Sequence, residues 1–218
     1  MRPRQHYDDS LAALHHQLTE LGALAANAVA RSLNALANQD TALAHQIIAD
    51  DTLIDAAERE LQSNAVALIA TQQPVARDLR SIIAAIGVGA ELERIADYAK
   101  SIAKIIVGPE GAAPLEAPTD LLQLGVAARA ILDHALAALA AMDEAAAQAL
   151  ISEEEQIDRR YRLVKPQLAA ALAESPLGPA RAADLLFIAY TLERIADRAT
   201  NIAERIIYHA SGETVKLN

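Results

Sequence analysis

A dozen residues occur twice in this chain, a hundred positions apart. Residues 92–103 read LERIADYAKSIA and residues 192–203 read LERIADRATNIA, and ten of the fifteen positions from 92 to 106 are identical at an offset of 100. A match at a fixed offset indicates internal duplication, so the chain should contain two similar structural units. With 218 residues, the chain is long enough for either one large domain or two small ones to bury a core.

The composition favours helices over strands. The chain has 51 alanines, only 3% aromatic residues, and eight each of glycine and proline, which suits long, closely packed helices. Seven of the eight prolines fall before or between periodic apolar segments, where helices begin or end. We therefore predict an all-α protein with six helices. The expected helices are Asp8 to Ala37, Thr41 to Thr71, Pro74 to Val107, Thr119 to Ala141, Asp143 to Glu174 and Pro179 to His209.

Three local features refine these helices. Asp40 is the expected N-cap of the second helix. Pro166 lies inside the fifth helix and is expected to kink it without ending it, because helical apolar spacing resumes with Leu168 and Leu172. The third helix should bury one apolar stripe against the core. Its members are Leu79, Ile82, Ile83, Ile86, Leu92, Ile95, Ala99, Ile102 and Ile106.

The division into units follows from one segment rich in glycine and proline. Residues 108–119 read GPEGAAPLEAPT, which is the best candidate for a linker between halves. Each half then holds three helices joined by short loops, the length that makes neighbouring helices antiparallel. We predict two tandem three-helix bundles related by internal duplication, over residues 1–107 and 119–218, with a linker at 108–118.

Several classes of protein are excluded or disfavoured. The chain has no cysteine, which rules out disulfides, zinc-thiolate sites and cysteine nucleophiles. The N-terminal stretch lacks an apolar signal region, and the longest uncharged apolar runs, such as 82–90, are shorter than a bilayer span, so we expect a cytoplasmic protein without membrane insertion. The net charge of −10 and the scattered positions of the 19 basic residues argue against a nucleic-acid partner.

Each half also carries two acidic pairs with a spacing of four residues. Acids at this spacing share one helical face and repel by a few tenths of a kcal/mol unless a cation lies between them. Neighbouring antiparallel helices could bring two pairs together, which would place four carboxylates around an oxygen-rich site for Mg, Mn, Fe or Zn. The four pairs are Asp51 with Asp55, Glu93 with Asp97, Glu154 with Asp158, and Glu193 with Asp197.

The residues alone leave a second interpretation of these pairs open, namely ordinary solvated faces. Arg94 and Arg194 precede Asp97 and Asp197 by three residues, where they can form surface ion pairs. A catalytic di-metal enzyme is disfavoured. No glutamate has a histidine three residues later, as di-iron carboxylate proteins require, and no nucleophile elbow or P-loop is present. We interpret the six histidines as surface or boundary residues, and the chain as one that binds and regulates.

The segments LERIADYAKSIAK and LERIADRATNIAERI resemble the paired signature helices of the PhoU family, with its repeated acid-x-x-x-Asp motif. The resemblance covers nearly the whole chain and implies the same six-helix architecture. It further implies a cytoplasmic, homodimeric, non-enzymatic regulator of phosphate uptake that represses phosphate-starvation signalling. Such a regulator would be an adaptor between the ATPase subunit of a phosphate ABC transporter and a sensor histidine kinase. The alternative is a helical protein that stores or buffers metal on its acidic clusters.

The resemblance also implies metal ligands, because some family members carry iron or zinc clusters on the acidic motifs. Transferred to this chain, the ligands are Glu93, Asp97, Glu193 and Asp197, with Asp51, Asp55, Glu154 and Asp158 as partners from the second helix of each half. The chain departs from the family pattern at Tyr98 and Arg198, where many relatives have histidine. Lys100 and Lys104 are expected to neutralise part of the first acidic set, so metal binding is expected more at the second.

Overall fold

Six helices and no strands form the described part of the computed structural model, which comprises residues 3–109, 115–174 and 178–212. The all-α prediction is therefore confirmed. The helices are α1 (Pro3–Asn38), α2 (Thr41–Gln72), α3 (Arg77–Val107), α4 (Thr119–Ala141), α5 (Glu144–Glu174) and α6 (Gly178–Ser211).

The helix boundaries agree with the expected ones except at two N-termini. α1 begins at Pro3, because proline is tolerated in the first turn, where its missing N–H would have no partner. α3 begins at Arg77 and not at Pro74, because Ala76 has a φ of 51°, outside the helical region. The expected cap of α2 is present, since the Asp40 carboxylate accepts the Leu43 N–H at 2.9 Å.

Two three-helix bundles arise from the pairwise packing of these helices. α1, α2 and α3 contact one another, and so do α4, α5 and α6. The side chains at the centre of each bundle come from the periodic apolar stripes, and Leu21, Leu61 and Leu92 are almost fully buried in the first bundle. Leu132, Leu150 and Leu192 have the same place in the second. Helices of this length are stabilised mainly by such continuous packing and only slightly by intrinsic propensity.

One member of the expected α3 stripe is exposed, and another, Leu79, is only half-buried. Ile83 is 40% exposed, whereas its neighbour Ile82 is fully buried. Successive residues of an α-helix differ by about 100° in direction, so Ile82 and Ile83 cannot both face the same neighbours. The prediction that Ile83 belongs to the core is wrong. α5, by contrast, continues through Pro166 to Glu174 as expected, and the kink at this proline stays a prediction.

The two bundles pack against each other along a seam formed by α3 with α6 and by α1 with α4. Glycine allows α1 and α4 to approach closely, because a Cβ on Gly125 would lie 2.5 Å from Leu33 Cδ2. Polar contacts also cross this seam, since Arg129 Nη1 donates to the Ala26 carbonyl at 2.5 Å and Arg181 Nη1 donates to the Ile105 carbonyl at 3.0 Å.

The linker is only partly within the described residues. Residues 108–109 and 115–118 are not helical, as expected, and the stretch 110–114 lies outside the described residues. Leu115 is 3% exposed and packs in the shared core, so the end of the linker is attached to the folded body. The division into domains at 108–118 stays a prediction.

α4 has the apolar character of a membrane span although its uncharged runs are short. Among the described helices it alone has the length and composition of a membrane span, with a mean hydropathy of 1.5 over 18 residues. The expectation that no apolar segment is long enough considered only uncharged runs, and Arg129 and Asp133 interrupt those runs in α4 without removing its apolar character. A single helix of this kind is weak support for a membrane span, because core helices have the same composition. α4 contacts α1, α5 and α6, which is the place of a core helix.

Candidate functional site

The two acidic pairs of the first bundle lie together between α2 and α3. Burial raises the pKa of Glu93, and so do the charge of Asp97 and a hydrogen bond between the Glu93 and Asp97 side chains. The charge of Asp55 contributes to the same shift. We call Asp51, Asp55, Glu93 and Asp97 the first acidic cluster. Its assembly from two helices is the arrangement that the spacing of the pairs predicted.

Lys100 supplies a cation within the first acidic cluster. Its Nζ donates a hydrogen bond to Asp51 Oδ2 and lies 3.7 Å from Asp97 Oδ1. Asp51 is only 3% exposed, so its charge would be costly without this partner. The hydrogen bond to Asp51 raises the pKa of Lys100 even though burial opposes the charged form. Lys100 therefore neutralises part of the first acidic cluster, at Asp51 and Asp97.

The second bundle carries the equivalent cluster between α5 and α6. We call Glu154, Asp158, Glu193 and Asp197 the second acidic cluster. Burial is the main cause that raises the pKa of Glu154, Glu193 and Asp197, and the neighbouring carboxylates of the cluster add to each shift. Thr200 takes the place of Lys100 and donates to the Ala196 and Asp197 carbonyls at 3.1 and 3.0 Å. No lysine ammonium therefore enters this cluster from α6.

Two arginines at the rim partly neutralise the second acidic cluster. Arg194 is hydrogen-bonded to Asp197, and Arg162 is hydrogen-bonded to Asp158. Arg162 is mostly exposed, whereas Arg194 is about a third exposed and its guanidinium also lies 5.9 Å from the centre of the Tyr190 ring. Arg194 Nε is 3.8 Å from Glu193 Oε2, which is too long for a hydrogen bond. Glu193 Oε2 is buried and has no hydrogen-bond partner among the described residues.

The two clusters differ in how well they suit a metal ion. Both offer only oxygen donors, the ligands preferred by hard cations. In the first cluster, the Lys100 ammonium already lies where a cation would bind, so the residues do not fit a metal. In the second cluster, Glu193 Oε2 is buried without a hydrogen bond and has only the Arg194 guanidinium at 3.8 Å, so this oxygen fits a cation.

The side chains of the second cluster are not placed as a finished metal site. Within the described ranges, no three histidine or acidic side chains are arranged closely enough to hold an ion. Arg194 and Arg162 each hold one carboxylate, so an ion would require these arginines to turn away. Metal binding by any of the eight acidic residues of the two clusters stays a prediction.

The arginines that follow the first acid of each repeat behave differently in the two copies. Arg194 pairs with Asp197, as the solvated-face interpretation predicted. Arg94 does not pair with Asp97, because Lys100 already lies beside that carboxylate. Arg94 Nε lies 3.9 Å from Glu93 instead. The prediction of an ion pair between Arg94 and Asp97 is wrong.

The positions at which this chain departs from the family pattern lie at the seam between the bundles. Arg198 Nη1 donates to Glu91 Oε2 at 3.1 Å, and Asn201 Nδ2 donates to the same oxygen at 3.2 Å. Burial opposes the charged form of Arg198, but hydrogen bonds to Glu91 and Tyr98 outweigh it and raise the pKa of the guanidinium. Sequence reasoning missed this contact because it joins residues at which the two copies differ.

Two histidines interpreted from the sequence as boundary residues have specific surroundings. His15 lies 3.0 Å from Ser81, with its Nε2 facing the serine Oγ, and burial lowers the pKa of this imidazole. Burial lowers the pKa of His209 too, with further contributions from Arg77, His15 and Arg80. No local signal in the sequence could have found this group, because its members come from α1, α3 and α6.

The raised pKa of Glu193 gives a stability prediction with a definite sign. A carboxyl whose pKa is higher in the folded state contributes stability below its unfolded pKa of about 4.3, and that contribution is lost as the pH rises through the folded pKa. Glu193→Gln keeps the shape of the side chain and removes its charge. We expect this variant to be more stable than the wild type at pH 7.5, with a difference that shrinks toward pH 4.

Urea denaturation in the presence of a chelator measures this difference. Glu155→Gln is the matched control, because Glu155 is 61% exposed and adjacent to the same cluster. The control should unfold like the wild type at both pH values. A Glu193→Gln variant that is less stable than the wild type at pH 7.5 would contradict the prediction.

Comparison with known proteins matches both bundles to one family. The PhoU domain matches residues 18–106 and again residues 121–206. The phosphate-specific transport system accessory protein PhoU homolog of Rhizobium meliloti (strain 1021) is 38% identical, over 94% of this chain and 87% of its own length. The protein of the same name from Caulobacter vibrioides (strain NA1000 / CB15N) is 35% identical, over 95% of this chain and 90% of its own.

Solved structures agree with this match. The crystal structure of PhoU from Pseudomonas aeruginosa superposes with a TM-score of 0.88 at 30% identity and covers 95% of this chain and 100% of that one. The phosphate transport system regulatory protein PhoU from Streptococcus pneumoniae has a TM-score of 0.87 at 28% identity and covers 96% of this chain and 99% of that one. Because one PhoU domain falls in each bundle and the similarity extends over nearly the whole length, this chain belongs to the PhoU family.

Proposed function

We propose that this chain is a regulatory accessory protein of a phosphate transport system that represses phosphate-starvation signalling when phosphate is ample. The observation that carries the proposal is the full-length match of both bundles to PhoU proteins, which are named as accessory or regulatory proteins of phosphate transport. In this role the chain is a cytoplasmic adaptor. It contacts the ATPase subunit of the transporter and a sensor histidine kinase, and it catalyses no reaction.

The described surface supports an adaptor role. Phe187 and Tyr190 of α6 are 51% and 44% exposed, and their ring centroids are 6.3 Å apart. Exposed aromatic side chains are enriched at protein interfaces relative to the rest of a surface. We propose this aromatic pair as part of a docking surface for a partner protein, and we expect the chain to form a homodimer. The mass of the purified protein by size-exclusion chromatography with light scattering tests the dimer.

Deletion of the gene tests the regulatory role. A reporter under a phosphate-starvation promoter should become active in ample phosphate, and the wild-type gene should silence it again. A Phe187→Ala, Tyr190→Ala variant present at normal levels should fail to silence it. Val66→Ala, which alters an exposed residue of α2, is the control and should silence the reporter. An unchanged reporter in the deletion strain would contradict the proposal.

The second candidate function is metal storage or buffering, and the observation that favours it is the buried Glu193 oxygen of the second acidic cluster, which has no hydrogen bond among the described residues. A bound Fe, Zn, Mn or Mg ion would neutralise the carboxylates there. The residues that would hold it are Glu154, Asp158, Glu193 and Asp197. Elemental analysis after gentle purification, with the Glu193→Ala, Asp197→Ala variant beside the wild type, measures the metal. Loss of stoichiometric metal with the reporter still silent would favour storage over regulation.

A further inference from the structure

A small cavity lies at one end of the seam between the bundles, away from the acidic clusters. It encloses about 90 Å³ and is lined by residues of α1, α3, α6 and the end of α4. This is several times the roughly 10–15 Å³ that admits one water molecule. Its polar side chains include His15, Ser81, Arg205 and His209, and its remaining walls are mainly apolar. A cavity with apolar walls and a few convergent polar groups is the usual form of a small-ligand site.

The charge around this cavity is positive, although the whole chain has a net charge of −10. Arg205 lines the cavity, and its guanidinium lies over Gly87, where a Cβ would be 2.9 Å from Arg205 Nε. Arg77 and Arg80 lie near enough to His209 to lower the pKa of its imidazole, after the larger effect of burial. Arg80 Nε is buried and has no hydrogen-bond partner among the described residues.

None of these three arginines forms an ion pair with a carboxylate of the described residues. Most other arginines of the chain pair with an acid on the same or a neighbouring helix, such as Arg31 with Asp50 and Arg129 with Asp133. Guanidinium groups gathered without a counter-ion attract an anion, and their planar donors match the oxygens of phosphate or carboxylate. An anionic ligand with several oxygens therefore suits Arg205 in the lining, with Arg77 and Arg80 nearby.

The two histidines restrict the kind of oxyanion further. A neutral imidazole has one donor nitrogen and one acceptor nitrogen, and a serine hydroxyl both donates and accepts. The cavity therefore offers acceptors as well as donors. Hydrogen phosphate carries a hydroxyl that can donate to such an acceptor, whereas sulfate near neutral pH can only accept. A protonated oxyanion can therefore pair with both the donors and the acceptors of the cavity, whereas sulfate can pair only with the donors.

We propose that this cavity binds a small protonated oxyanion of the hydrogen-phosphate type. Arg205 and the His15–Ser81 pair contact the oxygens, His209 completes the polar lining, and Arg77 and Arg80 add positive charge around it. The site is separate from both acidic clusters and requires no metal. The inference stands on the cavity alone, so it holds or fails independently of the regulatory role.

Isothermal titration calorimetry on the full-length protein tests the site, with inorganic phosphate as the probe and sulfate at the same ionic strength as the comparison. We expect saturable binding of one phosphate per chain and clearly weaker binding of sulfate. Arg205→Met should weaken phosphate binding by roughly tenfold or more, since a hydrogen bond to a charged group contributes about 1.5–3 kcal/mol. Arg159→Met is the matched control, because Arg159 is 61% exposed on α5, and it should bind phosphate like the wild type.

Three results would overturn the proposal. They are the absence of saturable phosphate binding at millimolar concentration, equal weakening by Arg205→Met and Arg159→Met, and sulfate binding as tight as phosphate binding. Circular dichroism should show that Arg205→Met folds like the wild type. If it does not, His209→Gln takes its place, because His209 lies near the end of α6, and the same loss of phosphate binding is required of it.

Discussion

Lys100→Met is expected to lower the free energy of unfolding by about 3 kcal/mol. Removing one partner of a buried ion pair leaves an uncompensated charge, which costs roughly 3–5 kcal/mol. Asp51 is 3% exposed, whereas the Lys100 side chain is 25% exposed, so the lower end of this range applies. Methionine retains most of the side-chain length, so the lower free energy of unfolding reflects the missing charge and not a cavity. Urea denaturation at pH 7.5 followed by circular dichroism measures it.

The control for this variant is Lys104→Met, one turn further along α3. Lys104 is exposed and forms no ion pair with the described residues, so its loss should change the free energy of unfolding by less than about 0.5 kcal/mol. Adding Asp51→Asn to Lys100→Met should restore most of the lost stability, because it removes the unpaired charge. A Lys100→Met protein as stable as the wild type would show that the first acidic cluster does not depend on this cation.

Leu92→Ala and Leu192→Ala form the second pair of large predicted effects. Both leucines have an exposed fraction of 0%, and truncation of a buried leucine to alanine costs about 2–5 kcal/mol. The side chains hold equivalent positions in the two repeats, so we expect similar losses. Because apolar and polar contacts cross the seam between the bundles, we expect each variant to unfold in a single transition.

Differential scanning calorimetry distinguishes this result from independent unfolding of the two bundles. Leu53→Ala is the control, since Leu53 is 62% exposed and its truncation should shift the melting temperature little. Two separate transitions in Leu192→Ala, with only one of them shifted, would show that the bundles are independent units and would contradict the expectation.

Most of the fold could be predicted because helix periodicity and proline positions are local properties of the sequence. The boundaries of α2 and α4 followed from Asp40, Gln73-Pro74 and Thr119-Asp120 almost to the residue. The start of α3 could not be predicted in this way, because it depends on the positive φ of Ala76. Alanine has no preference for that conformation. Ile83 was misplaced for a similar reason, since a stripe of adjacent isoleucines does not define which one faces the core.

The proximity of the two acidic pairs in each half followed from their spacing, because 38 positions from Asp55 to Glu93 and 35 from Asp158 to Glu193 allow one helix up and one helix back, whereas their role as metal ligands stays a prediction. The electrostatic difference between the two clusters was predictable only in part. Lys100 stands one turn beyond Asp97, but its hydrogen-bond partner is Asp51, on another helix. Contacts between distant residues, such as His15 with Ser81 or Arg198 with Glu91, depend on the relative placement of three or more helices. A single sequence does not encode that placement in any short pattern.

The length of α6 connects features that are otherwise far apart. Its 34 residues extend for about 51 Å, and one continuous helix carries Asp197 of the second acidic cluster, Arg198 of the seam, and Arg205 and His209 of the cavity. Twelve residues separate Asp197 from His209, a rise of about 18 Å. A packed helix shifts as a rigid body and does not bend freely. A small rotation of α6 about its own axis would therefore move side chains at the second acidic cluster, at the contact between the bundles and at the cavity together.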